Sequence, residues 1–147
     1  MEARHILLTS DLSEESRRTF PVARAMARPG GKITLLYVVP DLAVTPHGAP
    51  FAPPVGSAGL GEHMEAARKE LDGMRAQLAG TGDVRAEVVS GNDVAREVCK
   101  FAADHGCDLI VTSTHGRTGF RRMMLGSVAE GILRHSEVPV LCIPRQK

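Results

Sequence analysis

Five short apolar runs punctuate the chain: His5–Thr9, Ile33–Val39, Val84–Val89, Leu109–Thr112 and Val138–Ile143. They are rich in Val, Ile and Leu, and most are continuous rather than alternating. That is the pattern of strands buried on both faces, as in a parallel sheet. Between them the apolar positions return with a helical period. Val94, Val98, Phe101 and Ala102 fall at i, i+4, i+7 and i+8 and predict a helix from Asp93 to His105. Val128, Ile132 and Leu133 do the same for a helix starting at Ser127, and Met64, Ala67, Leu71, Met74 and Leu78 stripe Glu62–Ala79. A first helix is expected from about Ser13 to Ala27, with Pro21 kinking its interior or shifting its start.

Strands and helices alternate and the last element is a strand. The expected fold class is therefore α/β, an open parallel sheet with right-handed crossovers. No fixed period recurs, which excludes a solenoid. One segment breaks the alternation: Pro40–Gly61 is dense in Pro, Gly and Ala and reads as a long loop inserted within one domain spanning residues 1–147.

Composition narrows the class. With 18 Lys+Arg against 17 Asp+Glu the net charge is +1, no basic excess of the kind nucleic-acid binding uses. The chain has no Trp, one Tyr and four Phe, too few rings for a platform that stacks single-stranded bases. No apolar run is long enough to cross a bilayer, and Met1–His5 leads straight into Ile6–Leu8 without a signal-peptide layout. Cys99, Cys107 and Cys142 form no C-x-x-C pair. They are expected as small buried hydrophobes, reduced in a cytoplasm.

In open parallel sheets ligands bind beyond the carboxyl ends of the strands, where strand order reverses. The strand-to-helix turns are therefore where chemistry would sit. The first, Thr9–Glu15, is acidic: Asp11, Glu14 and Glu15 would repel a flavin phosphate, whereas Asp11 could accept a hydrogen bond from an exocyclic amino group such as adenine's. Asp11 or Ser13 could instead simply cap the first helix. The fourth turn, Thr112–Ser127, carries Gly116, Gly119 and Gly126 together with Arg117, Arg121 and Arg122. Glycines admit a ligand close to the backbone, and Gly126-Ser127 opens a helix whose free amides favour anions. Ser127-Val128-Ala129-Glu130 equally reads as an S-x-x-E capping box that needs no ligand.

Phosphate-loop, G-x-G-x-x-G and nucleophile-elbow signatures are absent, and the six histidines lack metal-ligand spacing. His115 lies in the glycine-rich turn, positioned either to approach a phosphate or to hydrogen-bond locally. No residue reads as a strong general base. Efficient enzymatic turnover is not expected.

The fourth turn resembles that of the universal stress protein family, in its single-domain, nucleotide-binding branch. The family pattern is G-x2-G-x9-G-S/T; here Gly116 is followed by nine residues and Gly126-Ser127, while Ser113 stands where the first glycine belongs. Ser113–Arg117, Leu125–Val128, Arg134–Ser136, Val138–Leu141 and the opening Ile6–Asp11 are similar to the family's text. The resemblance implies a five-stranded sheet in order 3-2-1-4-5 with helices on both faces, the adenine nucleotide alpha-hydrolase-like fold. It sets Asp11 and the glycine-rich turn across one crevice. Carried over by position, Asp11 meets adenine and Val38 or Val39 lines the base pocket. Thr112, Ser113, Gly116 and Arg117 flank ribose and phosphates, and Gly126, Ser127 and Val128 hold the phosphate chain.

The implied ligand is ATP, or AMP or ADP, with Mg²⁺ or Mn²⁺ accompanying the phosphates. The serine at position 113 adds a Cβ beside the nucleotide, the feature that favours an alternative: a nucleotide-independent homodimeric interaction module. In either case strand order places Val138–Ile143 at a sheet edge, where a second copy is expected to pair with it.

Overall fold

A computed structural model describes residues 2–41, 57–114 and 125–144. Five parallel strands form one sheet: β1 (Ala3–Thr9), β2 (Ala27–Pro40), β3 (Asp83–Gly91), β4 (Leu109–Ser113) and β5 (Val140–Ile143), in spatial order β3-β2-β1-β4-β5. The helices are α1 (Phe20–Met26), α2 (Ser57–Arg75), α3 (Val94–Asp104) and α4 (Ser127–His135). The register runs Ile6↔Ile33 and Leu8↔Leu35 to β2, Ile6↔Leu109 and Leu8↔Val111 to β4, and Ile110↔Val140 to β5.

Alternation along the strands divides the core in two. Ile6, Leu8, Ile33, Leu35 and Val111 face α1, α2 and the 3-10 turn Ala76–Leu78 that follows α2, where they meet Phe20, Ala23, Leu71, Met74 and Leu78. Leu7, Leu36, Val38 and Ile110 face α3 and α4, where they meet Val98, Phe101, Ala102 and Ile132. Both faces of the central strands are therefore covered, which is why their sequences read as unbroken apolar runs.

Several boundaries differ from the sequence reading. The segment before Pro21 is a 3-10 helix, Glu15–Thr19, and Pro21 occupies the first turn of α1, where its missing N–H costs nothing. Helix α2 begins at Ser57, so residues 57–61 are helical rather than part of a loop; residues 42–56 lie outside the described residues. Val138 belongs to a turn instead of β5: its N–H donates to Ser136 Oγ at 3.2 Å, and that hydroxyl donates to the Val138 carbonyl at 2.7 Å. On α4 the buried positions are Ala129 and Ile132, while Val128 and Leu133 are 39% and 47% exposed. The stripe expected from Val128, Ile132 and Leu133 is rotated because α4 packs closely on α3. A Cβ built at Gly131 would lie 2.6 Å from the Ala95 Cβ.

Of the cysteines only Cys107 is buried, and burial pushes its thiol up to about 11; Cys99 and Cys142 are half-buried. Cys107 Sγ lies 3.6 Å from His5 Nδ1. The His5 ring is buried, with Nδ1 3.2 Å from the His105 carbonyl and Nε2 2.8 Å from Thr34 Oγ1. Nδ1 must donate to that carbonyl, leaving Nε2 to accept from the threonine hydroxyl. Desolvation, reinforced by the Lys32 charge, lowers its pKa and favours this neutral ring.

Candidate functional site

Strand order reverses between β1 and β4, so the crevice of interest opens above the carboxyl ends of these two strands. Their main-chain ladder ends at Leu8↔Val111. One residue further on, the Thr9 hydroxyl donates to Thr112 Oγ1 at 2.7 Å, a side-chain bridge that continues the pairing where the strands part.

Beyond Thr9 the β1–α1 turn is held by short-range hydroxyl contacts. The Ser10 N–H donates to the Leu36 carbonyl at 2.9 Å. Ser10 Oγ lies 2.9 Å from Ser16 Oγ and accepts from the Leu12 N–H at 3.0 Å. Leu12 itself has φ 66°, a left-handed conformation that a β-carbon makes costly. Asp11 Oδ1 accepts from the Ser13 N–H at 3.0 Å and also from the Ser13 hydroxyl.

Asp11 therefore closes a local turn rather than capping a helix. Ser13 Oγ is the group that reaches the 3-10 segment, accepting from the Ser16 N–H at 3.3 Å. Glu14 and Glu15 are tied to Arg17 and Arg18 by ion pairs of 3.4 and 3.3 Å. The second Asp11 oxygen, Oδ2, is buried and has no hydrogen-bond partner among the described residues. A buried acceptor left unsatisfied costs about 1–3 kcal/mol, a burden that a ligand donor would relieve.

The other wall is the start of α4. The Gly126 N–H donates to the Thr114 carbonyl at 2.7 Å, so the two ends of the glycine-rich turn meet. Thr114 is tied in turn to β5, its N–H donating to the Ile143 carbonyl at 3.0 Å. Gly126, with φ −61° and ψ 153°, is the N-cap of α4, and no side chain caps the helix. Ser127 is thus the first helical residue, and the expected S-x-x-E capping box does not form. Glu130 pairs instead with Arg134 at 2.7 Å. The first amides of α4 have no intrahelical acceptor and stand at the positive end of the helix dipole.

The residues predicted for the site thus fall into three groups. Asp11, Thr112, Ser113, Gly126, Ser127 and Val128 sit at the carboxyl edge of the sheet or in the turns that leave it. Thr112 is buried, Ser113 is half-buried at the end of β4, and Ser127 is exposed. Val38 and Val39 point to opposite faces of β2: Val38 joins the α3/α4 side and Val39 the α1/α2 side. Alternation puts Thr9 and Thr112 on the same side as Val38, since Leu7 and Ile110 face that way. His115, Gly116 and Arg117, with Arg121 and Arg122, lie outside the described residues.

Sequence reasoning missed the Thr9–Thr112 bridge, although a hydroxyl at the last position of an otherwise apolar strand was a visible signal. Among the described residues no three His, Cys, Asp or Glu side chains come together as a protein-held metal ion would require.

The chain resembles known proteins along nearly its whole length. Universal stress protein MJ0577 of Methanocaldococcus jannaschii is 25% identical over 154 residues, spanning 96% of this chain and 94% of its own. The solved MJ0577 structure superposes with a TM-score of 0.83 at 24% identity, covering 100% of this chain and 99% of that one. A universal stress protein in complex with cAMP superposes at 0.66 with 22% identity, covering 99% and 100% of the two chains. The universal stress protein of Archaeoglobus fulgidus in complex with dAMP superposes at 0.68 with 18% identity, covering 97% and 99%. The Universal stress protein family matches residues 2–144, with the expected strand order and helices on both faces of the sheet; the chain belongs to that family.

Proposed function

We propose that this protein binds an adenine nucleotide, ATP foremost, in the crevice between β1 and β4 as a regulatory stress-response module. The observation that carries the reading is Asp11 Oδ2, a buried acceptor without a partner among the described residues, beside the switch point. An exocyclic amino group is the donor it fits. Val38, on the face shared with Thr9 and Thr112, lines the base pocket, and the amino end of α4 at Gly126, Ser127 and Val128 receives the phosphates. Two relatives of the same fold, in complex with cAMP and dAMP, support this chemistry. Ser113 ends β4, and beyond it the Gly126 N–H still meets the Thr114 carbonyl. A divalent ion would arrive on the phosphates, since no protein cluster of metal ligands awaits it among the described residues. Among the described residues of the crevice none is a strong general base, in keeping with at most slow ATP hydrolysis, incidental to binding.

The test is direct. With no Trp and one Tyr, the protein absorbs weakly, and retained adenine would dominate the ultraviolet spectrum of freshly purified material. Mass spectrometry of the released small molecules should identify an adenine nucleotide. Protein that neither retains nor rebinds one leaves the nucleotide-independent interaction module as the better reading.

A further inference from the structure

We propose that His5 is an acid-sensitive latch: its neutral ring ties the start of β1 to β2 and to the α3–β4 turn, and its protonation releases that corner of the sheet. The corner lies at the amino ends of β1 and β4, away from the crevice, and the inference is independent of nucleotide binding. Three elements meet on the ring. His5 lies near the start of β1, Thr34 stands on β2, and His105 and Cys107 belong to the turn between α3 and β4. Asp108 fastens the same turn to the main chain. Its carboxylate accepts from the N–H groups of Arg4 and His5, each at 3.0 Å, and its own N–H donates to the His5 carbonyl at 3.0 Å.

Both ring nitrogens are already used in the neutral state. Nδ1 donates to the His105 carbonyl at 3.2 Å, and Nε2 accepts from the Thr34 hydroxyl at 2.8 Å. A proton on Nε2 turns that acceptor into a donor. Thr34 must then rotate its hydroxyl hydrogen away, and no other acceptor for it occurs among the described residues. Thr34 and His5 are both buried, so water does not take its place. The new charge is also poorly placed. Lys32 is paired with His5 in the β1–β2 register and adds a like charge, as does His105 when protonated. Cys107 Sγ, 3.6 and 3.7 Å from the two ring nitrogens, is a buried thiol and brings no counter-charge. Asp108 and the carboxyl end of α3 favour the cation. Asp108, however, is already engaged by two main-chain N–H groups and by the Arg4 side chain at 3.3 Å. Desolvation outweighs these attractions, so an opened corner takes up the proton more readily than the closed one. With an ordinary imidazole value of about 6.5, the latch is fully effective above that pH and weakens as the pH falls below it.

The experiment follows the full chain and His5→Gln, whose amide can donate and accept but does not titrate, on either side of about pH 6.5. Amide exchange, corrected for its intrinsic pH dependence, reads the corner through the N–H groups of Arg4, His5 and Asp108. It reads the opposite end of the sheet through those of Ser10 and Thr114. Dithiodipyridine, which reacts with thiols in acid, reports exposure of Cys107, located by mass spectrometry of the labelled peptides. In acid the wild-type corner should lose protection and Cys107 should label faster, while Ser10 and Thr114 keep their protection. His5→Gln should show neither change. Corner protection and Cys107 labelling that stay constant across the two conditions overturn the latch. An equal acid loss in His5→Gln, or a loss shared evenly by both ends of the sheet, overturns it as well. If His5→Gln does not fold, NMR titration of the His5 ring in the wild-type chain decides. A midpoint below the ordinary imidazole value, together with the corner's loss of protection, supports the latch; a midpoint at or above that value overturns it.

Discussion

Asp11 shows how one side chain divides its work. Oδ1 is spent on the Ser13 N–H and hydroxyl, fixing the turn, while Oδ2 is buried and unsatisfied. Replacing Asp11 with Asn keeps a carbonyl oxygen for Ser13 and turns the free acceptor into an amide donor. Stability in urea should change by less than about 1 kcal/mol, because the bonds that close the turn survive. Ligand preference should invert: affinity for AMP falls roughly tenfold, while IMP, whose 6-oxo group accepts, gains relative to it. Competition binding of the two nucleotides checks this, and an unchanged AMP/IMP ratio would remove Asp11 from the base pocket. The acidic character of this turn was legible in the sequence. The division between a used and a free oxygen was not, since it depends on which oxygen the fold buries.

At the scale of elements, the start of α4 reverses what motif reading suggested, while the start of α3 lies where the sequence placed it. Ser127 stands in a well-formed S-x-x-E pattern, yet it is the first helical residue of α4 and caps nothing. Asp93, part of no such pattern, is the N-cap of α3 and accepts from the Arg96 N–H at 3.1 Å. Asp93→Ala should therefore cost about 1 kcal/mol of folding stability. Ser127→Ala should stay within about 0.5 kcal/mol, the range for surface positions, while weakening nucleotide binding. Denaturant titrations of both variants decide it; a loss of about 1 kcal/mol from Ser127→Ala would restore the capping role. The cause is a shift of one residue. Gly126 has the extended backbone of an N-cap, and its N–H is committed to Thr114. The phase of α4 was lost for a related reason. Close approach at Gly131 and Ala95 turns Ala129 and Ile132 inward and leaves Val128 and Leu133 outside, although periodicity alone grouped them with Ile132.

For the whole molecule, sheet order leaves β5 at an edge, four residues long and half-buried, with Val128 and Leu133 exposed on the neighbouring α4. Open strand edges beside exposed apolar side chains are paired or covered in working proteins. A symmetric homodimer through β5 is the arrangement we propose, and light scattering should return twice the 15.7 kDa chain mass. A stable monomer at working concentrations would refute it. By itself the sequence determined the fold class and the places of the five strands to within their ends, because burial on both faces writes itself as unbroken apolar runs. The family resemblance carried the strand order, which the sheet bears out, whereas only the tertiary structure decided that Val38 and not Val39 shares a face with Thr9 and Thr112. The tertiary structure also decided that Thr9 meets Thr112, and that Asp11 keeps one oxygen free. Thr9 and Thr112 are 103 positions apart, and the fate of the second Asp11 oxygen turns on what the fold packs over it; local periodicity carries no record of either.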